Sequence, residues 1–190
     1  MDTGSQITGI ILAGGQNLRM GNNKAFVIWK GKRLINWVYE AIRPLCSKII
    51  ISANEGDFSF LDASIVPDRY EKIGPAAGIE AGLYSSQTEL NIIVSCDTPM
   101  LSSDFFRHMI MHHKNFDISI PIHDGINEPL IGIYMRSVLN KFQDAISKGQ
   151  YKPPPIIKSC SYQEISIYKE LFFYKPDLFL NLNRPEDLKN

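Results

Sequence analysis

The stretch that most constrains this chain is residues 7–24. An apolar segment over residues 7–13 stops abruptly at Gly14 and Gly15, and a polar loop carrying Arg19, Gly21 and Lys24 follows. A short apolar run closed by turn residues reads as a buried strand. Glycine lets the backbone turn sharply and approach a ligand, and the exposed N–H groups of such a loop can cradle phosphate oxygens. Arg19 adds a planar fork for phosphate and Lys24 a mobile point charge. A strand feeding a glycine-rich, cationic loop is what a triphosphate needs at the edge of a sheet.

Two familiar phosphate loops do not fit. A Walker A loop requires Gly-Lys-Ser/Thr, which occurs nowhere in the chain. The dinucleotide fingerprint Gly-x-Gly-x-x-Gly is not supplied by Gly14-Gly15-Gln16-Asn17-Leu18-Arg19. The stretch instead resembles the signature Leu-Ala-Gly-Gly-x-x-x-Arg-Met-Gly-x-x-Lys of the molybdenum cofactor guanylyltransferase family of nucleotidyltransferases. Leu12-Ala13-Gly14-Gly15, Arg19-Met20-Gly21 and Lys24 carry the match. A strand followed by a solvated turn would account for Gly-Gly alone, but not for the arginine and lysine at set spacing.

The whole chain sets further bounds. Its 190 residues suffice for one domain with a full core and are few for two. Twenty Lys and Arg balance twenty Asp and Glu. That argues against duplex nucleic acid or an anionic membrane as partner, and leaves room for a small anion in one cationic loop. No run is long and apolar enough to span a bilayer, and the opening Met1-Asp2-Thr3-Gly4-Ser5-Gln6 lacks the layout of a signal peptide, so a cytoplasmic protein is expected. Cys46, Cys96 and Cys160 are odd in number and lack metal-type spacing, so they read as reduced thiols with packing roles. With no repeat or low-complexity tract, a single domain over residues 1–190 is expected, nucleotide-binding over about 7–100 and acceptor-binding over about 101–190.

After a tight Lys30-Gly31-Lys32 turn, Leu34, Ile35, Val38, Ala41 and Ile42 recur at helical spacing until Pro44. Residues 48–53 are continuous and β-branched, as buried parallel strands are, which completes a βαβ unit with a right-handed crossover. A loop or weak helix is expected over residues 55–63 and a short strand over 64–66. Gly74-Pro75-Ala76-Ala77-Gly78 opens a helix running to about Ser86. A strand over residues 91–96 ends in Asp97-Thr98-Pro99, and a helix over 102–114 follows with Ser102 as N-cap. Residues 117–122 and 129–135 read as a hairpin-like pair about Asp124-Gly125. An amphipathic helix over residues 136–148 stops at Gly149. Pro153-Pro154-Pro155 is expected to be extended rather than helical. Residues 164–168 suggest an edge strand, and Asn183 or Arg184 is expected to cap a final helix with Pro185 at its first position.

Asp97 lies just past the carboxyl end of a central strand, where ligands of open α/β sheets bind. Mg²⁺ takes one or two carboxylates plus phosphate oxygens and water. An aspartate before a proline turn is also ordinary punctuation, but its place in the third βα repeat favours the metal reading.

The family resemblance spans residues 7–188 and is densest in the first hundred residues and at the tail. It implies a single Rossmann-like, three-layer αβα domain with a mostly parallel central sheet, as in nucleotide-diphospho-sugar transferases. It implies transfer of GMP from GTP to the phosphate of molybdopterin, with pyrophosphate released and Mg²⁺ held by Asp97. Leu12, Ala13, Gly14 and Gly15 would hold the nucleotide, and Arg19 and Lys24 would stabilise the departing pyrophosphate. Asn54 and Asp68 match nucleotide-contacting positions. An aspartate can accept from both N1–H and N2–H₂ of guanine, and whether Asp68 meets base or ribose stays open. Gly15 at the strand end leaves room for a purine. The helix start at Gly78 lies beside base and ribose in the family, although Ala77 and Gly78 suit plain helix–sheet packing equally, and Ala76 departs from the family's leucine. Asn181 and Asn183 match asparagines that approach the active site; capping explains Asn183 well and Asn181 less well. Lys152 either contacts an acidic acceptor or is simply solvated, and His123 is given no role. The implied partners are GTP, the molybdenum cofactor and molybdoenzyme maturation proteins. Residues 117–168 depart most from the family, which keeps open a related transferase using CTP or another phosphorylated acceptor. A non-catalytic nucleotide-binding module is the remaining alternative.

Overall fold

The apolar runs become strands and the helically spaced segments become helices, in a computed structural model that describes residues 6–14, 23–70, 73–183 and 187. At the centre lies β1 (Ile7–Leu12), parallel to β4 (Lys48–Ser52) on one side and β6 (Leu90–Ser95) on the other. Ile10 pairs with Ile50 across one ladder and with Ile93 across the other. These strands are covered on both faces, so their sequences are continuously apolar rather than alternating. A short strand β5 (Ser64–Val66) pairs parallel outside β4. Beyond β6 come β9 (Ile131–Met135), β7 (Ile118–His123) and β10 (Tyr162–Ser166), giving the order β10-β7-β9-β6-β1-β4-β5. Along this order only β9 runs antiparallel to its neighbours.

Helices α1 (Leu34–Ile42) and α3 (Ser103–His112) cover one face, packing Ile35, Val38, Phe105 and Phe106 against Ile11, Ile51, Ile92 and Ile133. On the other face, α2 (Pro75–Ser85), α4 (Leu139–Ser147) and α5 (Pro153–Lys158) pack Ile79, Leu83, Phe142 and Ile156 against Ile10, Ile50 and Ile93. The result is the three-layer αβα arrangement. Successive strand residues point to opposite faces, which is how Ile10 and Ile11 come to serve different layers. Ser102 caps α3, its hydroxyl accepting from the Phe105 N–H at 3.2 Å.

The structure corrects some local expectations and bears out others. Pro153, Pro154 and Pro155 form the first turn of α5, with Lys152 as N-cap. The N–H groups of a first turn have no partner within the helix, so prolines there forfeit no hydrogen bond and arrive with helical φ. Lys30 and Gly31 adopt φ of 48° and 79° and close a hairpin of two short strands, β2 (Ile28–Trp29) and β3 (Lys32–Arg33). Asp124 and Gly125, at φ of 47° and 76°, close a hairpin between β7 and a two-residue β8 (Ile126–Asn127), while β9 pairs with the base of β7. The edge strand β10 starts two residues earlier than expected, and residues 55–63 form turns without a helix. The final helix expected after Asn183 falls on residues 184–186 and 188–190, outside those described. Among the described residues no helix is long and apolar enough to cross a membrane.

Candidate active site

The carboxyl ends of β1, β4, β5 and β6 meet at one edge of the sheet, where backbone bonds hold them in step. The Ala13 N–H donates to Ser52 O at 2.9 Å, Ala53 N–H to Val66 O at 3.0 Å, and Cys96 N–H to Leu12 O at 3.1 Å. A cleft of about 280 Å³ opens there, lined by Leu12, Ala13, Gly14, Lys24, Ser52, Pro75, Gly78, Ser95, Cys96, Asp97, Leu130 and Asn183. Its depth comes partly from α2, which begins at Gly74 with φ 81° and no side-chain cap, and places Pro75 at the cleft wall.

One wall carries the charge. Lys24 enters on the 3₁₀ turn Lys24–Phe26, which Asn23 fixes by accepting from the Ala25 N–H at 3.0 Å and donating to Glu55 O at 3.0 Å. The Lys24 ammonium lies 2.6 Å from Asp97 Oδ2 and 2.6 Å from Asn183 Oδ1, and both charged side chains are only 12–13% exposed. The second carboxylate oxygen, Asp97 Oδ1, is buried and has no hydrogen-bond partner among the described residues. The tail reaches this wall because Leu182 is buried against Trp29 and Leu34, and its N–H donates to Asp97 O at 3.0 Å.

A second carboxylate is hydrogen-bonded to the lining residue Ser52. Asp68 Oδ1 accepts from Ser52 Oγ at 3.2 Å and Oδ2 from Asn54 Nδ2 at 3.0 Å, while Asn54 Oδ1 takes the Asp68 backbone N–H at 2.8 Å. Both neighbouring glycines keep the space before it clear. A Cβ at Gly14 would sit 3.7 Å from Asp68 Oδ2, and one at Gly78 would sit 3.7 Å from Oδ1 and 3.0 Å from Ser52 Oγ.

Of the residues singled out in the sequence, Leu12, Ala13, Gly14, Lys24, Gly78, Asp97 and Asn183 line the cleft, and Asn54 and Asp68 are hydrogen-bonded to its wall through Ser52. Gly15 and Arg19 lie outside the described residues. The Asn183 side chain accepts from Lys24, and the capping role expected of it turns on residues outside those described, whereas Asn181 is exposed and off the cleft lining. Lys152 is exposed at the start of α5 and does not line the cleft either. His123 stacks flat on Phe179, ring centroids 3.9 Å apart, and pairs with Glu128 at 3.1 Å.

Sequence reasoning passed over Ser52, Ser95, Cys96, Pro75 and Leu130 as lining residues. The strand-end serines and Cys96 precede or follow residues already picked out, and a rule that both termini of every βα junction face the cleft would have found them. All three cysteines are free thiols. Burial, and secondarily the Asp97 charge, pushes the Cys96 thiol up to about 12, with Lys24 opposing. It is a neutral wall, not a nucleophile. No group of three or more His, Cys, Asp or Glu arranged to hold a metal exists among the described residues.

Residues 9–163 match the family described as the MobA-like NTP transferase domain. Molybdenum cofactor guanylyltransferase of Desulfosudis oleivorans is 32% identical over 188 residues, covering 96% of this chain and 93% of that protein. The enzyme of the same name from Vibrio parahaemolyticus is 31% identical over 188 residues, covering 97% and 94%. The crystal structure of molybdopterin-guanine dinucleotide biosynthesis protein A from Archaeoglobus fulgidus superposes with a TM-score of 0.81 at 27% identity, covering 96% of this chain and 95% of that one. An αβα sheet with its cleft at the carboxyl ends of β1, β4 and β6, and this breadth of matching sequence, lead to one assignment: the chain belongs to the MobA-like NTP transferase family.

Proposed function

We propose that this protein transfers GMP from GTP to the phosphate of molybdopterin, releasing pyrophosphate and forming the guanine dinucleotide form of the molybdenum cofactor. The observation that carries the reading is the Lys24–Asp97 pair past the carboxyl ends of β1 and β6, a cation and a carboxylate together in the cleft. Nucleotidyl transfer asks little covalent chemistry of a protein; it needs positioning and neutralisation of charge on bridging and leaving oxygens. Lys24 has three N–H donors, two of them engaged by Asp97 and Asn183, which among the described residues leaves one for a phosphate oxygen. Ala13 and Gly14 line the same cleft, and Arg19 is assigned to the leaving pyrophosphate. Asp68, fixed by Ser52 and Asn54, is assigned to the base or ribose.

The donor set fits Mg²⁺. Asp97 retains one carboxylate oxygen with no partner among the described residues, and Mg²⁺ asks for one or two carboxylates with the rest of its shell from phosphate and water. When bound, the ion would be held by Asp97 and would add positive charge beside the α-phosphate. The chain's own residues hold the nucleotide, shield the cleft with Cys96, Leu130 and Pro75, and keep Lys24 at the phosphate end.

We assign the acceptor to the side of the cleft formed by Leu130 and Asn183, within the half from about residue 101 onward, and the reaction to the cytoplasm. Pyrophosphate release with molybdopterin and a panel of GTP, CTP and ATP tests the reading. Turnover with GTP alone is expected. Turnover with CTP alone, or only with a sugar phosphate in place of molybdopterin, would replace it with a different transferase; GTP binding without turnover would leave a binding module.

A further inference from the structure

Glu80 sits in the interior of α2, fully buried. Its Oε1 accepts from Arg69 Nη1 at 2.7 Å and from Gln143 Nε2, on α4, at 2.8 Å, while Oε2 is buried with no hydrogen-bond partner among the described residues. A carboxylate so placed is costly to desolvate, and an apolar residue of similar size would serve packing better. Its cation explains what the pair does. Arg69 directly follows Asp68, and its guanidinium lies 3.7 Å from the centre of the Tyr84 ring, so that it meets two residues of α2.

Asp68 needs this second hold. It stands at the end of β5, an edge strand paired to β4 over only three residues, and Ser52 and Asn54 grip it from the β4 side alone. Arg69 ties the same segment to α2, the helix whose Gly78 borders the Asp68 carboxylate. The segment after the strand is thereby held both from the β4 end and from α2. We infer that the Arg69–Glu80 pair is a positioning device that fixes the Asp68 carboxylate for the nucleotide and so sets nucleotide affinity without touching the nucleotide. This rests on the nucleotidyl-transfer reading above.

The test is a double-mutant cycle on GTP binding by isothermal titration calorimetry in Mg²⁺ buffer, with wild type, Asp68→Asn, Arg69→Met and Asp68→Asn/Arg69→Met. Arg69→Met is expected to weaken GTP about tenfold, and to add nothing to Asp68→Asn, because groups that act as a unit are non-additive. At saturating GTP its kcat is expected to stay within about twofold of wild type, as for a loss of uniform binding. Additive losses, or kcat falling with KM unchanged, overturn the inference. Arg69→Met also strands the Glu80 carboxylate, so Arg69→Met/Glu80→Leu supplies a variant with apolar packing in place of the pair. Its melting temperature is expected to recover relative to Arg69→Met while GTP affinity stays about tenfold down. Recovery of affinity together with stability would reduce the pair to mutual charge compensation. Wild type that binds GTP, beside an Arg69→Met variant of equal affinity, sinks this inference alone; wild type that binds no GTP sinks the parent reading and the inference with it.

Discussion

Lys24 and Asp97 are 73 positions apart in the chain and 2.6 Å apart in space. Each was legible as a residue type in a suggestive place, one after a glycine loop and the other past a strand end. Their contact was not, because it depends on β1 and β6 being neighbours. Asn183 was less legible still, since an asparagine ahead of proline reads as a cap, and only the docking of Leu182 on Trp29 turns it toward Lys24. Replacing Lys24 by methionine is expected to lower kcat by about 10²–10³-fold, the usual cost of one charge-stabilising donor, with folding intact by circular dichroism. The buried thiols give a prediction of the opposite kind. Burial pushes Cys46, and likewise Cys96, up to about 12, whereas an unfolded thiol titrates near about 8.5. The folded state keeps protons that the unfolded state loses, so the stabilisation is complete below the unfolded value and drains away as pH rises toward the folded one. Urea midpoints are expected to fall between pH 8 and 10, and to fall less in Cys46→Ala.

Among the elements, α2 does the most. It is buried almost throughout, which is why its sequence, rich in alanine and glycine, shows no polar stripe. Gly82 lets it lie directly on β1, since a Cβ there would come within 2.4 Å of Ile10 Cγ2. Gly82→Ala is therefore expected to cost about 1–3 kcal/mol by overpacking, read as a lower urea midpoint. The three prolines of α5 show how a composition rule misleads: what matters is position, and within a first turn proline carries no hydrogen-bond penalty. Pro154→Ala is expected to shift stability by less than about 1 kcal/mol, mainly through the unfolded chain, with helix content unchanged. The β2–β3 hairpin escaped the sequence for a different reason, since strands of two residues are too short to show a period.

For the molecule as a whole, the alternation of apolar strands and helices was enough to give a parallel α/β sheet, because a continuous apolar run must be covered on both faces. The order of strands was not available from pattern: residues 117–122 and 129–135 read as a hairpin-like pair, but nothing local to them says that β9 inserts between β6 and β7. That insertion carries Leu130 to the cleft and so joins the two halves of the chain at one site. The wall built from β1, β4 and α2 was readable from motifs; of the wall built by tertiary insertion and by the tail, Asn183 was readable and Leu130 was not. Asp97 is where the two meet. The most direct test is pyrophosphate release from GTP in the presence of molybdopterin and Mg²⁺, wild type against Asp97→Asn. Turnover is expected in the wild type and a loss of about 10²-fold or more in the variant, with GTP still bound. Equal turnover by Asp97→Asn would contradict it.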